Sequence, residues 1–159
     1  MKHRLAVLVH NHPGVLTRVA GLFSRRGYNI ESLSVGVTEN PEISRMTIVV
    51  DGDEVIIEQV TKQLHKLIDV IKISDITHDP SVDRELVLFK VKADAAVRGE
   101  IMQIAEIFRS RIVDFSRRSL IIEATGDHSK LTAIENALKP YGIIEVARTG
   151  LVSMVRGSK

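Results

Sequence analysis

The sequence predicts an α+β protein made of two ferredoxin-like βαββαβ domains in tandem. Three observations carry that expectation. One order of apolar runs and turns is written twice along the 159 residues. Within each copy the apolar spacing switches between strand-like and helix-like periods. A single polar break bearing a proline, His78 to Asp83, separates the copies. A chain of this length holds one large domain or two small ones.

In the first copy, Arg4 to Val9 is a nearly unbroken apolar run of strand length. Asn11, His12, Pro13 and Gly14 form a turn able to open a helix, and Val15, Leu16, Val19, Leu22 and Phe23 then recur at helical spacing. Gly27 ends that helix as the residue after its C-cap. Tyr28 to Val37 reads as a strand, Asn40-Pro41 as a turn, and Arg45 to Val50 as the returning strand. Asp51-Gly52-Asp53 starts a second helix carrying Ile57, Val60, Leu64 and Leu67, and Val70 to Ile76 closes the set. The order is that of the split βαβ unit.

The second copy repeats it. Glu85 to Val91 is a strand; Val97, Ile101, Ile104, Ala105 and Phe108 mark a helix. Ile112 to Phe115 and Ser119 to Ala124 are strands, and Leu131, Ile134 and Leu138 mark another helix. Ile143 to Val155 supplies the last strand, bent at Gly150. The expected boundaries are 1–77 for the first domain, 78–83 for the linker and 84–159 for the second. A domain of about 75 residues buries a modest share of its surface. Its sheet leaves one face and the edges to be covered, which points to a homodimer.

Composition narrows the function. Hydrophobic residues make up 44% and charged residues 26%, as in ordinary globular proteins. Lys and Arg number 22 against 20 for Asp and Glu, and both signs are interspersed, so charge says little about partners. The absence of cysteine removes disulfides, thiolate zinc sites and Cys nucleophiles. Leu5 to Val9 is too short for a signal-peptide core, and no segment approaches a membrane span, so cytoplasm is the expected compartment and no membrane is involved.

The Asn11 to Leu16 stretch carries the strongest chemical signal. A helix entry leaves backbone N–H groups unpaired and pointing outward. Pro13 suits the first helical turn, and Gly14 lets a ligand approach the backbone. Free N–H groups and the helix dipole together favour a carboxylate. Asn11 offers a donor and an acceptor to a ligand that has both an ammonium and a carboxylate. The same residues are equally accounted for by Asn11 capping the helix and Gly14 relaxing the turn. Asn29, a poor strand former, stands where an edge strand begins and reads either as a binding group or as a turn residue after Gly27. The corresponding entry in the second copy, Lys92-Ala93-Asp94-Ala95-Ala96, has neither Pro nor Gly.

Asn11-His12-Pro13-Gly14-Val15-Leu16, the run from Gly21-Leu22-Phe23 through Gly27-Tyr28-Asn29-Ile30-Glu31-Ser32-Leu33, and Ser44-Arg45-Met46-Thr47-Ile48 are together similar to one family. So are Lys62 to Leu67, Glu106 to Arg109 and Glu145 to Gly150. Across essentially its whole length the chain resembles the small regulatory subunit of acetohydroxyacid synthase (acetolactate synthase), whose N-terminal half is an ACT domain. The resemblance implies that two ACT domains pair edge to edge in a homodimer. It implies a feedback amino acid, typically valine, in the interface, with Asn11, Gly14, Val15 and Leu16 of one protomer facing Asn29 and Ile30 of the other. It further implies a regulatory role with no catalytic site. A large catalytic subunit would be activated by this chain and inhibited through it. Thiamine diphosphate, magnesium and FAD would belong to that partner, and no cofactor or metal to this chain.

Two other classes are weighed against this. For catalysis, the sequence holds six histidines, of which His10 and His12 share a strand face but lack a nearby third ligand. No nucleophile elbow, P-loop or dinucleotide fingerprint is present. The alternative reading is a stand-alone amino-acid-sensing or nucleic-acid-binding ferredoxin-like module. RNA-recognition domains share this topology, but they stack bases on aromatics of the central strands. Leu5 to Val9 and Arg45 to Val50 contain none. No nucleic-acid partner is therefore expected.

Overall fold

Lys2–His10 forms strand β1, whose alternating residues send Leu5, Val7 and Val9 to a buried face. The computed structural model describes residues 1–157, so the end of the expected second domain at 158 and 159 lies outside the described residues. β1 is followed by α1 (Val15–Arg26), β2 (Asn29–Val37), β3 (Ile43–Asp51), α2 (Glu54–His65) and β4 (Val70–Asp75). The sheet order is β2-β3-β1-β4, with β1 central against β3 in a register from Lys2 opposite Asp51 to His10 opposite Ile43. One face of this sheet presents Leu5, Val7, Val9, Met46, Ile48 and Val50 to the two helices, which add Val19, Phe23, Val60 and Leu64.

Local chemistry sets the helix ends. On α1, Val15, Val19, Leu22 and Phe23 form the buried stripe. Gly27 stops it at φ 70°, and the Tyr28 N–H returns to Phe23 O at 3.0 Å, closing a Schellman turn. Asp53 caps α2, its side chain accepting from the Ile56 N–H at 2.9 Å.

The second set comprises β5 (Ser81–Lys92), α3 (Arg98–Ile107), β6 (Arg111–Phe115), β7 (Ser119–Gly126), α4 (His128–Leu138), a 3-10 turn at Lys139–Tyr141 and β8 (Ile143–Arg148). Its sheet runs β6-β7-β5-β8. Val87, Phe89, Val91, Leu120 and Ile122 pack there against Ile101, Ile134 and Leu138 of the helices. Two ferredoxin-like βαββαβ units in tandem are thus present.

Three details differ from expectation. β5 begins at Ser81, so residues 81–83 of the expected linker are strand. The last strand is two: β8 ends at Arg148, Gly150 turns at φ 88°, and a separate β9 (Val152–Val155) follows. Finally, the chain divides into Met1–Val82 plus the residues from Leu151, and Asp83–Gly150, so the C-terminal segment belongs with the first unit and not the second.

Within the first unit that segment covers the sheet face opposite the helices. The Leu151 N–H donates to Ser32 Oγ on β2 at 2.8 Å. Arg45 on β3 donates to Ser153 O at 2.8 Å. Past β4, the Arg156 N–H reaches Pro80 O at 2.8 Å. Ala6, Thr47 and Val49, all on this face, are buried. A second copy is therefore not needed to cover it, and the uncovered parts of the first sheet are its edges.

Leu64 is fully buried between α2 and the first sheet. Leu64→Ala should lower unfolding stability by about 2–5 kcal/mol, the range for such core truncations. Urea denaturation checks this, as a shifted midpoint at unchanged slope.

Candidate functional site

The end of β1 positions the site. The chain leaves the sheet after His10, and the Asn11 N–H donates to Glu42 O at 2.7 Å. The Asn11 side chain does not cap α1; its Nδ2 donates to Pro41 O at 3.1 Å, tying the loop to the β2–β3 turn. Pro13 stands outside the helix. Gly14 is the N-cap residue at φ 84°, with no side chain to satisfy the helix. Among the described residues, the N–H groups of Leu16 and Thr17 find no acceptor.

This opening is unlike the other three helix entries. Asp53 and Asp127 cap α2 and α4 through side-chain oxygens. In the turn entering α3, Asp94 accepts from the N–H groups of Ala96 and Val97 at 3.0 and 3.3 Å. A carboxylate of the protein itself thus serves the second unit's entry, at the position corresponding to the open one. Among the described residues, α1 is the one α-helix whose entry has no side-chain carboxylate accepting from its N–H groups.

The other expected site residues are dispersed. Val15 is 4% exposed and packed in the core. Leu16 is 46% exposed. Asn29 is exposed at the first position of β2, and Ile30 is half-buried against the first core. Asn29 lies opposite Asp51, which lies opposite Lys2, whereas Asn11 follows His10 at the far end of β1. At the rise of a strand, the two ends are roughly 30 Å apart. A single chain does not bring Asn11 and Asn29 together.

Sequence reasoning missed Asp69, which holds the loop in place. Its backbone carbonyl accepts from the His10 N–H at 2.8 Å. One carboxylate oxygen lies 3.2 Å from His12 Nδ1, and the other pairs with Arg18 of α1. Asp69 is 7% exposed, so its charge is nearly desolvated while Arg18 remains half in water. His10 and His12 stack with ring centroids 5.5 Å apart. Among the described residues, no group of three His, Asp or Glu is placed to hold a metal. Nothing local marks Asp69, because its partners are more than 50 residues away in sequence.

Comparison with known proteins places the chain. Residues 5–72 match the family described as AHAS small subunit-like ACT domain, and residues 84–157 match that described as small subunit of acetolactate synthase. A probable acetolactate synthase small subunit of Archaeoglobus fulgidus is 61% identical, covering 100% of this chain and 99% of that protein. The acetolactate synthase small subunit of Mycolicibacterium smegmatis is 55% identical, over 99% of this chain and 92% of that one. The crystal structure of the corresponding small subunit from Thermotoga maritima superposes with a TM-score of 0.91 at 45% identity, covering 100% of this chain and 99% of that one.

Asp69→Ala should free the loop. Loss of a largely buried partner, discounted for the exposure of Arg18, costs about 1–3 kcal/mol of stability. Hydrogen exchange should quicken at residues 10–18 more than in the second unit; uniform change throughout would refute a local clamp.

Proposed function

The chain belongs to the family of acetolactate synthase small subunits, and we propose that it is a non-catalytic regulatory subunit whose ACT domain binds valine or another branched-chain amino acid. Its partner is the large catalytic subunit, which it activates and through which it confers feedback inhibition. The condensation chemistry, with thiamine diphosphate, magnesium and FAD, is assigned to that partner. One observation carries the reading: among the described residues, α1 is the one α-helix whose entry, at Gly14, has no side-chain carboxylate accepting from its first N–H groups, and it lies beside an asparagine anchored on the neighbouring turn. Such an opening suits the carboxylate of a free amino acid, and Asn11 stands where a second polar group of the ligand would lie.

The register of β2 supports a site completed by a second copy. β2 is an edge strand, and Val35 and Val37 on it are exposed, Val37 by 65%. Antiparallel pairing of two β2 strands about Leu33 sets Asn29 of one against Val37 of the other. Val37 lies opposite Ser44, and Ser44 opposite Val9, at the end of the sheet where Asn11 begins. That pairing carries Asn29 and Ile30 of one copy toward the open helix entry of the other, with exposed Leu16 beside it. A homodimer is thereby the unit that binds.

A ligand spanning two protomers favours one dimer arrangement over another, which is what regulation requires. A coupling of about 1–3 kcal/mol is typical and sufficient for a clear response.

Calorimetric titration with L-valine, L-leucine and L-isoleucine tests the reading. Gly14→Asp places a carboxylate against the free N–H groups and should abolish binding. Gly14→Asn controls for backbone strain, since Asn also tolerates positive φ. Binding that survives in Gly14→Asp removes the proposed site. Asn29→Ala should weaken binding by about 1.5–3 kcal/mol, the worth of a hydrogen bond to a charged group. Mixing Gly14→Asp with Asn29→Ala protomers gives heterodimers with one intact site, so valine binding should return at half stoichiometry. No recovery in a confirmed heterodimer would mean that the site lies within one chain.

A further inference from the structure

We propose that the space between the first sheet's helix-free face and the segment Leu151–Gly157 is a second ligand site, built for a short-chain carboxylate. It does not rest on the reading of the β1–α1 loop. The space has a volume of about 410 Å³ and is lined by Ala6, Arg45, Lys72, Ser74, Ile76 and Met154, together with Val155 and Gly157. That lies within the range of small-molecule sites, about 300–1,000 Å³.

The sequence dictates the floor. In Ser44-Arg45-Met46-Thr47-Ile48, strand alternation sends Met46 and Ile48 into the helix-side core, which leaves Arg45 and Thr47 on the other face. Arg45 and Lys72 both lie opposite Leu8 in register, one on each side of β1. Two strand spacings set their Cα atoms about 10 Å apart on one face. In the adjacent row, Thr47 and Ser74 flank Ala6, whose single methyl leaves the hollow between them.

Charge and hydrogen bonding say what belongs there. Arg45 donates through its guanidinium to Ser153 O at 2.8 Å, yet its Nε is buried with no acceptor among the described residues. A buried donor without a partner is costly, and an anionic oxygen would satisfy it. Lys72 adds a second positive charge, and Ser74 a hydroxyl. The wall carries one carboxylate, Asp79, which already has a partner of its own. Ile76, Met154 and Val155 offer apolar surface to the body of the ligand. The fit is therefore a carboxylate on a short aliphatic chain. Such a ligand touches both the sheet and the segment lying over it, so occupancy would hold that segment down.

Isovalerate, a branched carboxylate with no ammonium group, is the probe, with inorganic phosphate beside it. Titrated into the full chain, isovalerate should bind saturably. Lys72→Ala and Arg45→Gln should each weaken it tenfold or more, and Gly14→Asp should leave it unchanged. Hydrogen exchange at Leu151–Gly157 should slow when isovalerate is bound. Arg45→Gln also removes the bond to Ser153, so Lys72→Ala, which leaves that bond in place, is the deciding variant. The proposal is overturned if isovalerate does not bind saturably, if Lys72→Ala binds it as tightly as the parent, or if Gly14→Asp abolishes binding. Saturable phosphate binding without isovalerate binding overturns the assigned ligand class.

Discussion

Everything in the first unit is referred to β1. It is paired along both edges, and its alternation commits Leu5, Val7 and Val9 to the helices while Arg4, Ala6 and Leu8 go to the opposite face. Sliding this strand by one residue would turn the core outward, so its register is strongly fixed. That register determines where the chain exits the sheet, which is at Asn11. It also determines which row of the far face carries Arg45 and Lys72. The helix entry and the far-face space are thus opposite products of one strand, one lying off its end and one beneath its flank.

The two units show how one topology is left open in one place and closed in another. Both bring a strand into a helix through a short turn. In the second unit Asp94 turns its carboxylate onto the N–H groups of Ala96 and Val97. In the first unit Gly14 supplies only a left-handed bend, and the loop is held from outside by Asp69 and the Pro41 carbonyl. The rigidity comes from groups that do not occupy the mouth. A loop fastened at its shoulders keeps its backbone N–H groups facing outward with no side chain against them.

Much of this was legible in the residues. Periods of 2 and 3.6 gave both sheets and all four helices, and Gly27 and Asp53 marked helix ends by well-understood chemistry. The helix entry at Asn11 to Leu16 was found, but Asn11 was misread as a possible cap, since nothing local shows that its amide turns toward Pro41. Val15 shares its helical phase with Val19 and Leu22, and its side chain lies with theirs in the core. Asp69 and the return of Leu151 to Ser32 were invisible for another reason. Both join positions far apart in sequence, where periodicity carries no information, and Gly150 read as a bend within a strand is locally indistinguishable from Gly150 as the exit from a unit.

That exit has a consequence for biosynthesis. The first unit is discontinuous: its four strands and two helices come from residues before Ser81, but the piece that covers its far face follows Gly150. A nascent chain that has emerged as far as Val82 already holds the complete sheet, with Ala6, Thr47 and Val49 still wet. They remain so until the whole of the second unit has been translated. Maturation of the N-terminal unit is therefore timed by the emergence of the residues after Gly150, and a chain ended before them would display an unfinished sheet to the cell's quality control.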